Sequence, residues 1–253
     1  MMRNRLRSIT LGLLVAPLAL GLAACGKKED AAAGATSGEP VARVAAPAGK
    51  AWADVVAKTP DGGYRLGNPD APIKLVEYGA LSCSHCAEFA KESFEKLRDD
   101  YVASGHVSYE LRYFMLNPFD VPASVLATCG STEAVIPLSE QFWAWQPTMF
   151  QNIQAAGDAR LQQINALPRD QQLVAVADVA GMTEFFASRG ISRDQGRTCL
   201  ADTARAKAFA DQTQKATDQY AVTGTPTFII NGNNVGSMGW KELEAKLQQA
   251  GAR

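Results

Sequence analysis

Residues 73–101 join two different periodicities across a CxxC motif. The run IKLVEYGA (73–80) has the β-branched and aromatic content of a buried strand, and its lack of strict alternation predicts cover on both faces, as in a parallel or mixed sheet. After Cys83 and Cys86, apolar side chains recur at Ala90, Phe94, Leu97 and Tyr101, while Glu88, Lys91, Glu92, Glu95, Arg98 and Asp99 take the other faces. That is an amphipathic helix whose first turn holds both cysteines. HVSYELRYFML (106–116) reads as a second strand, so the three elements form a βαβ unit with parallel strands.

The same grammar returns near the C-terminus. TPTFIINGNNVGSM contains a strand (Thr227–Ile230), a turn at Asn231-Gly232 and a second short strand, followed by a helix marked by Trp240, Leu243 and Leu247. Between the two halves the patterns are helical only, over 122–129, 134–152, 170–180, 183–189, 193–202 and 204–220, with Ser192 and Gln195 as a capping box. The fold class is therefore α/β with an all-helical block inserted. In the aromatic run EQFWAWQPTMF, Phe142, Trp143, Trp145, Met149 and Phe150 are expected mostly in the core of that block.

The first 25 residues read as an export signal: the basic MMRNRLR, an apolar run from Ile9 to Leu22 that is short for a membrane span, then Leu22, Ala23 and Ala24 before Cys25. This ending resembles a bacterial lipobox, which implies that Cys25 is lipidated and that residues 1–24 are removed. Residues 25–50 are rich in Ala, Gly and Pro and read as a flexible tether reaching about 25–30 Å. Loss of Arg3, Arg5 and Arg7 leaves 22 basic against 26 acidic residues, which gives no footing for nucleic-acid binding. The expected domains are 51–117, with the CxxC, a helical insertion over 118–205, and 206–253.

Export places the cysteines in an oxidising compartment. Of five, Cys25 is assigned to lipidation, which leaves Cys83, Cys86, Cys129 and Cys199. A thiolate at a helix N-terminus is favoured by free backbone N–H groups and the helix dipole, so Cys83 is expected to have a depressed pKa, with protonated His85 adding to the effect. Cys86, one turn in, would be less exposed and would resolve a mixed disulfide. Zinc binding and a purely structural disulfide are the competing readings. Zinc lacks a second CxxC and has only His85 and His106 to draw on. No metal or cofactor is expected beyond a redox-active Cys83–Cys86 pair.

GNPDAPIKLVEYGALSCSHC and GTPTFIING together resemble the DsbA-like branch of the thioredoxin superfamily over about residues 65–253. The resemblance implies a thioredoxin fold with a helical insertion and a cis Thr225-Pro226 bond opposite Cys83. Thr225, Pro226 and Ser84 would then face the substrate, with Glu77 as a buried acid beneath the cysteines. Arg112 is a candidate basic partner for Glu77. Relatives often carry proline where this chain has Ser84, which leaves the oxidising strength open. Some relatives also hold a second, non-catalytic disulfide; Cys129 and Cys199 are expected to form one here, against the alternative of two buried thiols.

The function expected from the resemblance is disulfide exchange with cysteine-containing exported proteins, most readily as an oxidase served by a membrane or envelope redox partner. A reductase or isomerase on the same fold, and a lipid-anchored binding or chaperone module with a vestigial CxxC, are the rivals. A monomer is expected, on the periplasmic side of a bacterial membrane through its lipid anchor. Gly26 after the lipidated cysteine favours the outer membrane, although a DsbA-like oxidase would normally meet its partner at the inner one.

Overall fold

The chain builds its sheet around one long buried strand. The computed structural model describes residues 44–252; Cys25, the signal segment and the first part of the tether lie outside them. A six-stranded sheet has the order β1-β2-β4-β3-β5-β6, formed by Val56–Lys58, Tyr64–Leu66, Val107–Tyr113, Ile73–Gly79, Thr227–Ile230 and Asn233–Gly236. Only β3 and β4 pair in parallel, joined by helix α1 (Ser84–Lys96); every other pairing is antiparallel. The βαβ unit and the C-terminal hairpin are thus where the periodicities put them. β1 and β2 carry no pattern long enough to read, and they pair to extend the sheet beside β4.

The two faces of β3 differ. Ile73 and Leu75 are buried in the larger core and Glu77 is buried too, Tyr78 belongs to a smaller core with Phe114, Ala216, Val222 and Ile229, and Lys74 is exposed. Cover on both faces therefore holds only from Val76 onward. β4 ends at Tyr113, short of the expected 116, and Met115 and Leu116 lead into the insertion.

Helices α2 (Asp120–Ala127), α3 (Val135–Asn165), α4 (Arg169–Val179), α5 (Met182–Ala187) and α6 (Arg193–Ala201) form the block between β4 and α7 (Thr203–Tyr220). Helix α7 runs across the expected 205/206 boundary, so the insertion ends ahead of Thr203. Helix α3 continues past the expected 152, and the polar QNIQAAGDARLQQIN tail breaks at Gly157, whose φ of 72° suits glycine. Phe142, Trp143 and Met149 are buried, Trp145 is half-buried, and Phe150 is exposed. Phe142 contacts Phe185 and Phe186 at ring separations of 5.3 and 5.5 Å. Cys129 and Cys199 are joined in a disulfide, with Cα atoms 6.0 Å apart, linking the end of α2 to α6. The chain closes with α8 (Trp240–Gln249), which packs Trp240, Leu243 and Leu247 into the core. Among the described residues no helix is long and apolar enough to cross a membrane.

Candidate active site

Sheet register brings the two ends of the sequence together. β5 runs antiparallel to β3 with Thr227 opposite Tyr78, so the residues before β5 lie beside the loop that leaves β3 and enters α1. There Thr225–Pro226 is a cis peptide bond, and the Thr225 carbonyl oxygen accepts from the Cys83 thiol at 3.2 Å. Pro226 is buried and Ser84 is exposed.

Cys83 is the N-cap of α1, and its sulfur accepts the backbone N–H of Cys86 at 3.3 Å. The first turn of α1 carries no acidic residue to oppose a negative charge there. Cys83 keeps 7% exposure and Cys86 none, so Cys86 is the less exposed of the two and Cys83 is itself recessed. Both thiols are free. The Cys83 thiol is lowered to about 6, chiefly by hydrogen bonding from Cys86; burial opposes this, while the Thr225 side chain and the backbone N–H groups of Cys86 and His85 add to it. Burial pushes the Cys86 thiol well above its ordinary value, and the neighbouring Cys83 and Glu77 push it the same way. The pair is thus split into one ready thiolate and one protonated thiol.

The ring of His85 is exposed, with Nδ1 3.6 Å from Glu88 Oε2. The backbone N–H of this residue also helps to lower the Cys83 thiol. Glu77 is 1% exposed in the sheet beneath the cysteines. Its Oε2 accepts the Tyr109 hydroxyl at 2.8 Å, and Oε1 has no hydrogen-bond partner among the described residues. Arg112 does not reach it: the guanidinium binds Glu110 at 2.7 Å, Asp61 at 3.0 Å and the Tyr78 hydroxyl at 3.2 Å. The strand pleat explains this, because Arg112 and Glu77 lie on opposite faces of the sheet.

Burial raises the Glu77 carboxyl from 4.5 to about 8; the Tyr109 hydrogen bond opposes the shift and the Cys83 charge adds to it. A raised carboxyl costs the fold nothing below pH 4.5, where both states hold the proton. Above that, the unfolded chain releases a proton that the fold retains, at about 1.4 kcal/mol per pH unit until about pH 8. Glu77→Gln should therefore stabilise the reduced protein by about 3 kcal/mol at pH 7 and by almost nothing at pH 4.5, with the gain levelling off above pH 8. Urea melts of both proteins across that range check it; a gain independent of pH would show that burial of Glu77 does not set its ionisation.

Three residues that the sequence did not place at the site hold it in position. Asp120, at the start of α2, accepts from Ser82 N at 2.8 Å and Ser82 Oγ at 3.0 Å, and from the N–H groups of Leu116 and Asn117 at 3.0 and 3.1 Å. Gln146 donates to the carbonyls of Leu81 (2.7 Å) and Cys83 (3.0 Å), and Trp143 Nε1 donates to Ala80 at 2.9 Å. The insertion thereby clamps residues 80–83. Only Asp120, just ahead of a helical pattern, offered a signal in the sequence. A cleft of about 320 Å³, lined by His85, Phe89, Pro226 and Met238 among others, opens beside the Pro226 loop.

Comparison with known proteins agrees with this geometry. The thioredoxin family model matches residues 59–249. A putative protein-disulfide oxidoreductase of Rickettsia bellii is 24% identical over 185 residues, covering 73% of this chain and 63% of the relative. The chain thus spans less than two thirds of the length of that relative. The crystal structure of a protein-disulfide isomerase from Novosphingobium aromaticivorans is 30% identical with a TM-score of 0.69, covering 74% of this chain and 98% of that one. Wolbachia pipientis alpha-DsbA1 shares the fold, with a TM-score of 0.59 at 20% identity over 76% of this chain and 92% of its own. With a parallel βαβ unit that delivers two cysteines to a helix start beside a proline loop, and a helical block clamping that turn, the chain belongs to the thioredoxin family and shares the fold of DsbA-like proteins.

Proposed function

We propose that this protein is a thiol:disulfide oxidase of the bacterial cell envelope, giving the Cys83–Cys86 disulfide to exported proteins. The observation that carries the reading is the asymmetry of the pair: Cys83 lowered to about 6 at the helix start, Cys86 fully buried and raised. A substrate thiolate attacks Cys83 Sγ and breaks the Cys83–Cys86 bond. Cys86 leaves with the electron pair and takes a proton, for which Glu77, neutral until about pH 8, is the nearby donor. A second substrate thiolate then attacks the substrate sulfur of the mixed disulfide, and Cys83 leaves as a thiolate. Two electrons pass from substrate to protein, and an envelope redox partner removes them. No cofactor takes part.

Thr225 and Pro226 present backbone to an extended substrate segment, Ser84 flanks the opening, and the cleft beside His85 and Met238 receives neighbouring side chains. The lipid anchor at Cys25 would hold a monomer on the periplasmic face of a membrane, the outer membrane being favoured by Gly26. Isomerase activity is the second reading, supported by the name of the Novosphingobium neighbour.

The deciding measurement is the reduction potential of the Cys83–Cys86 pair in a glutathione series, with Cys129 and Cys199 replaced by serine. Ionisation of Cys83 at pH 7 favours the reduced form by about 1.4 kcal/mol relative to an ordinary thiol, or about 30 mV. A value above about −200 mV is expected for a disulfide donor. A value near that of thioredoxin, about −270 mV, would turn the reading to a reductase.

A further inference from the structure

The cleft beside Pro226 has a shape and a charge that disulfide exchange by itself does not require. Its walls come from helix α1, the Pro226 loop and the loop between β6 and α8. On α1, His85, Glu88, Phe89 and Glu92 form one stripe two turns long, so the cleft begins beside the cysteines and runs down the helix. Phe89, packed 4.6 Å from the Phe228 ring, and half-buried Met238 supply its apolar surface. Glu88 and Glu92 are exposed, and no lysine or arginine lines the cleft. Glu88 Oε2 lies 3.6 Å from His85 Nδ1, and Glu92 has no hydrogen-bond or ion-pair partner among the described residues.

Place ties these carboxylates to the substrate. The Thr225 carbonyl accepts from the Cys83 thiol at 3.2 Å, so a segment that meets Cys83 across the Pro226 loop passes the mouth of the cleft. Counted along α1, Glu88 and Glu92 stand about 7.5 and 13.5 Å beyond Cys83. In an extended segment alternate side chains share a face, so residues two and four positions from a cysteine that faces the protein also face it, about 6.6 and 13.2 Å along the chain. The two spacings match.

We propose that this cleft selects substrate segments with a lysine or arginine two residues from the reacting cysteine, Glu88 being the first counter-charge and Glu92 the second. The inference deepens the exchange reading and rests on it. A long cationic side chain can lay its apolar stem on Phe89 and Met238 while its charged end reaches the rim. A glutamate in the same position meets repulsion.

The test uses the full chain with Cys86→Ala and peptides whose single cysteine is joined to thionitrobenzoate. Cys83 thiolate attacks the peptide sulfur, the sulfur–sulfur bond to thionitrobenzoate breaks, and thionitrobenzoate leaves as the thiolate. The peptide–Cys83 mixed disulfide is located and timed by mass. Lys, Gln or Glu is placed two residues before or two residues after the cysteine. On the side that lies along α1, Lys should react about threefold faster than Gln, the usual worth of an exposed ion pair, and about tenfold faster than Glu. Both ratios should fall towards one in 1 M salt, where the screening length is about 3 Å. Glu88→Gln/Glu92→Gln should bring the ratios close to one, whereas Glu95→Gln, on α1 but outside the cleft, should leave them in place. Gln peptides that react while Lys gains nothing on either side overturn this inference and leave the exchange reading standing. An equal loss of preference in Glu95→Gln overturns it too, because the field would then be diffuse. If no peptide joins Cys83, the exchange reading falls and this inference with it.

Discussion

Cys83→Ala should lower the rate of disulfide transfer to a reduced peptide by on the order of a thousandfold or more, because no other side chain can take its place as the sulfur that is attacked. The residual rate measures how far Cys86, buried and held protonated, can act alone. A loss of less than about tenfold would place the chemistry elsewhere and sink the proposed function. The native thiol carries its own signature. With Cys83 lowered to about 6, roughly 90% is thiolate at pH 7, against about 1% for a thiol at 9. Lower basicity also weakens each thiolate, by about 30-fold over three pKa units, so the net advantage at pH 7 is only about threefold. At pH 5 it grows to about 30-fold, because the ordinary thiol is then almost wholly protonated. Alkylation of the reduced protein across pH 4 to 9 should therefore show a midpoint near 6 and its largest excess over glutathione in acid. In Cys86→Ala the midpoint should rise, since hydrogen bonding from Cys86 is the leading cause of the depression.

The parts of this site that were legible in the sequence are those where local pattern and chemistry coincide. A buried strand, two cysteines at spacing three and an amphipathic helix place Cys83 at a helix N-terminus without any tertiary information, and the structure has it there as the N-cap. The placement of Glu77 under the cysteines came from the family resemblance, since the strand pattern alone does not say whether this glutamate is buried, and the structure leaves it 1% exposed. What escaped was long-range. Gln146 and Trp143 lie more than 60 residues from the carbonyls they bind, and nothing in EQFWAWQPTMF distinguishes a side chain that packs from one that reaches back to residues 80–83. Arg112, a candidate partner for Glu77, is ruled out by the pleat, which decides which face each side chain occupies and leaves the guanidinium to Asp61 and Glu110. β1 and β2 are three residues each, too short for alternation to emerge, and exist because β4 offers them an edge.

Removing the second disulfide tests whether the insertion acts as a rigid clamp. Cys129→Ser/Cys199→Ser releases a link between residues 70 apart, and loop closure of that length is worth about 4 kcal/mol in the chain-entropy account. For a domain of this size the melting temperature should fall by about 10 °C. The bridge ties α2 to α6, and α2 opens with Asp120, which holds the backbone and hydroxyl of Ser82 next to Cys83. If the clamp acts through the whole block, loosening α2 should also raise the alkylation midpoint of Cys83, because the sulfur sits in a loop fixed by Asp120 on one side and Gln146 on the other. If the midpoint stays near 6 while the melting temperature falls, Gln146 and Trp143 on α3 suffice to hold the loop, and the disulfide contributes stability alone. A melting temperature that does not change would mean that packing between α2 and α6 already confines the block and that the covalent link adds nothing to it.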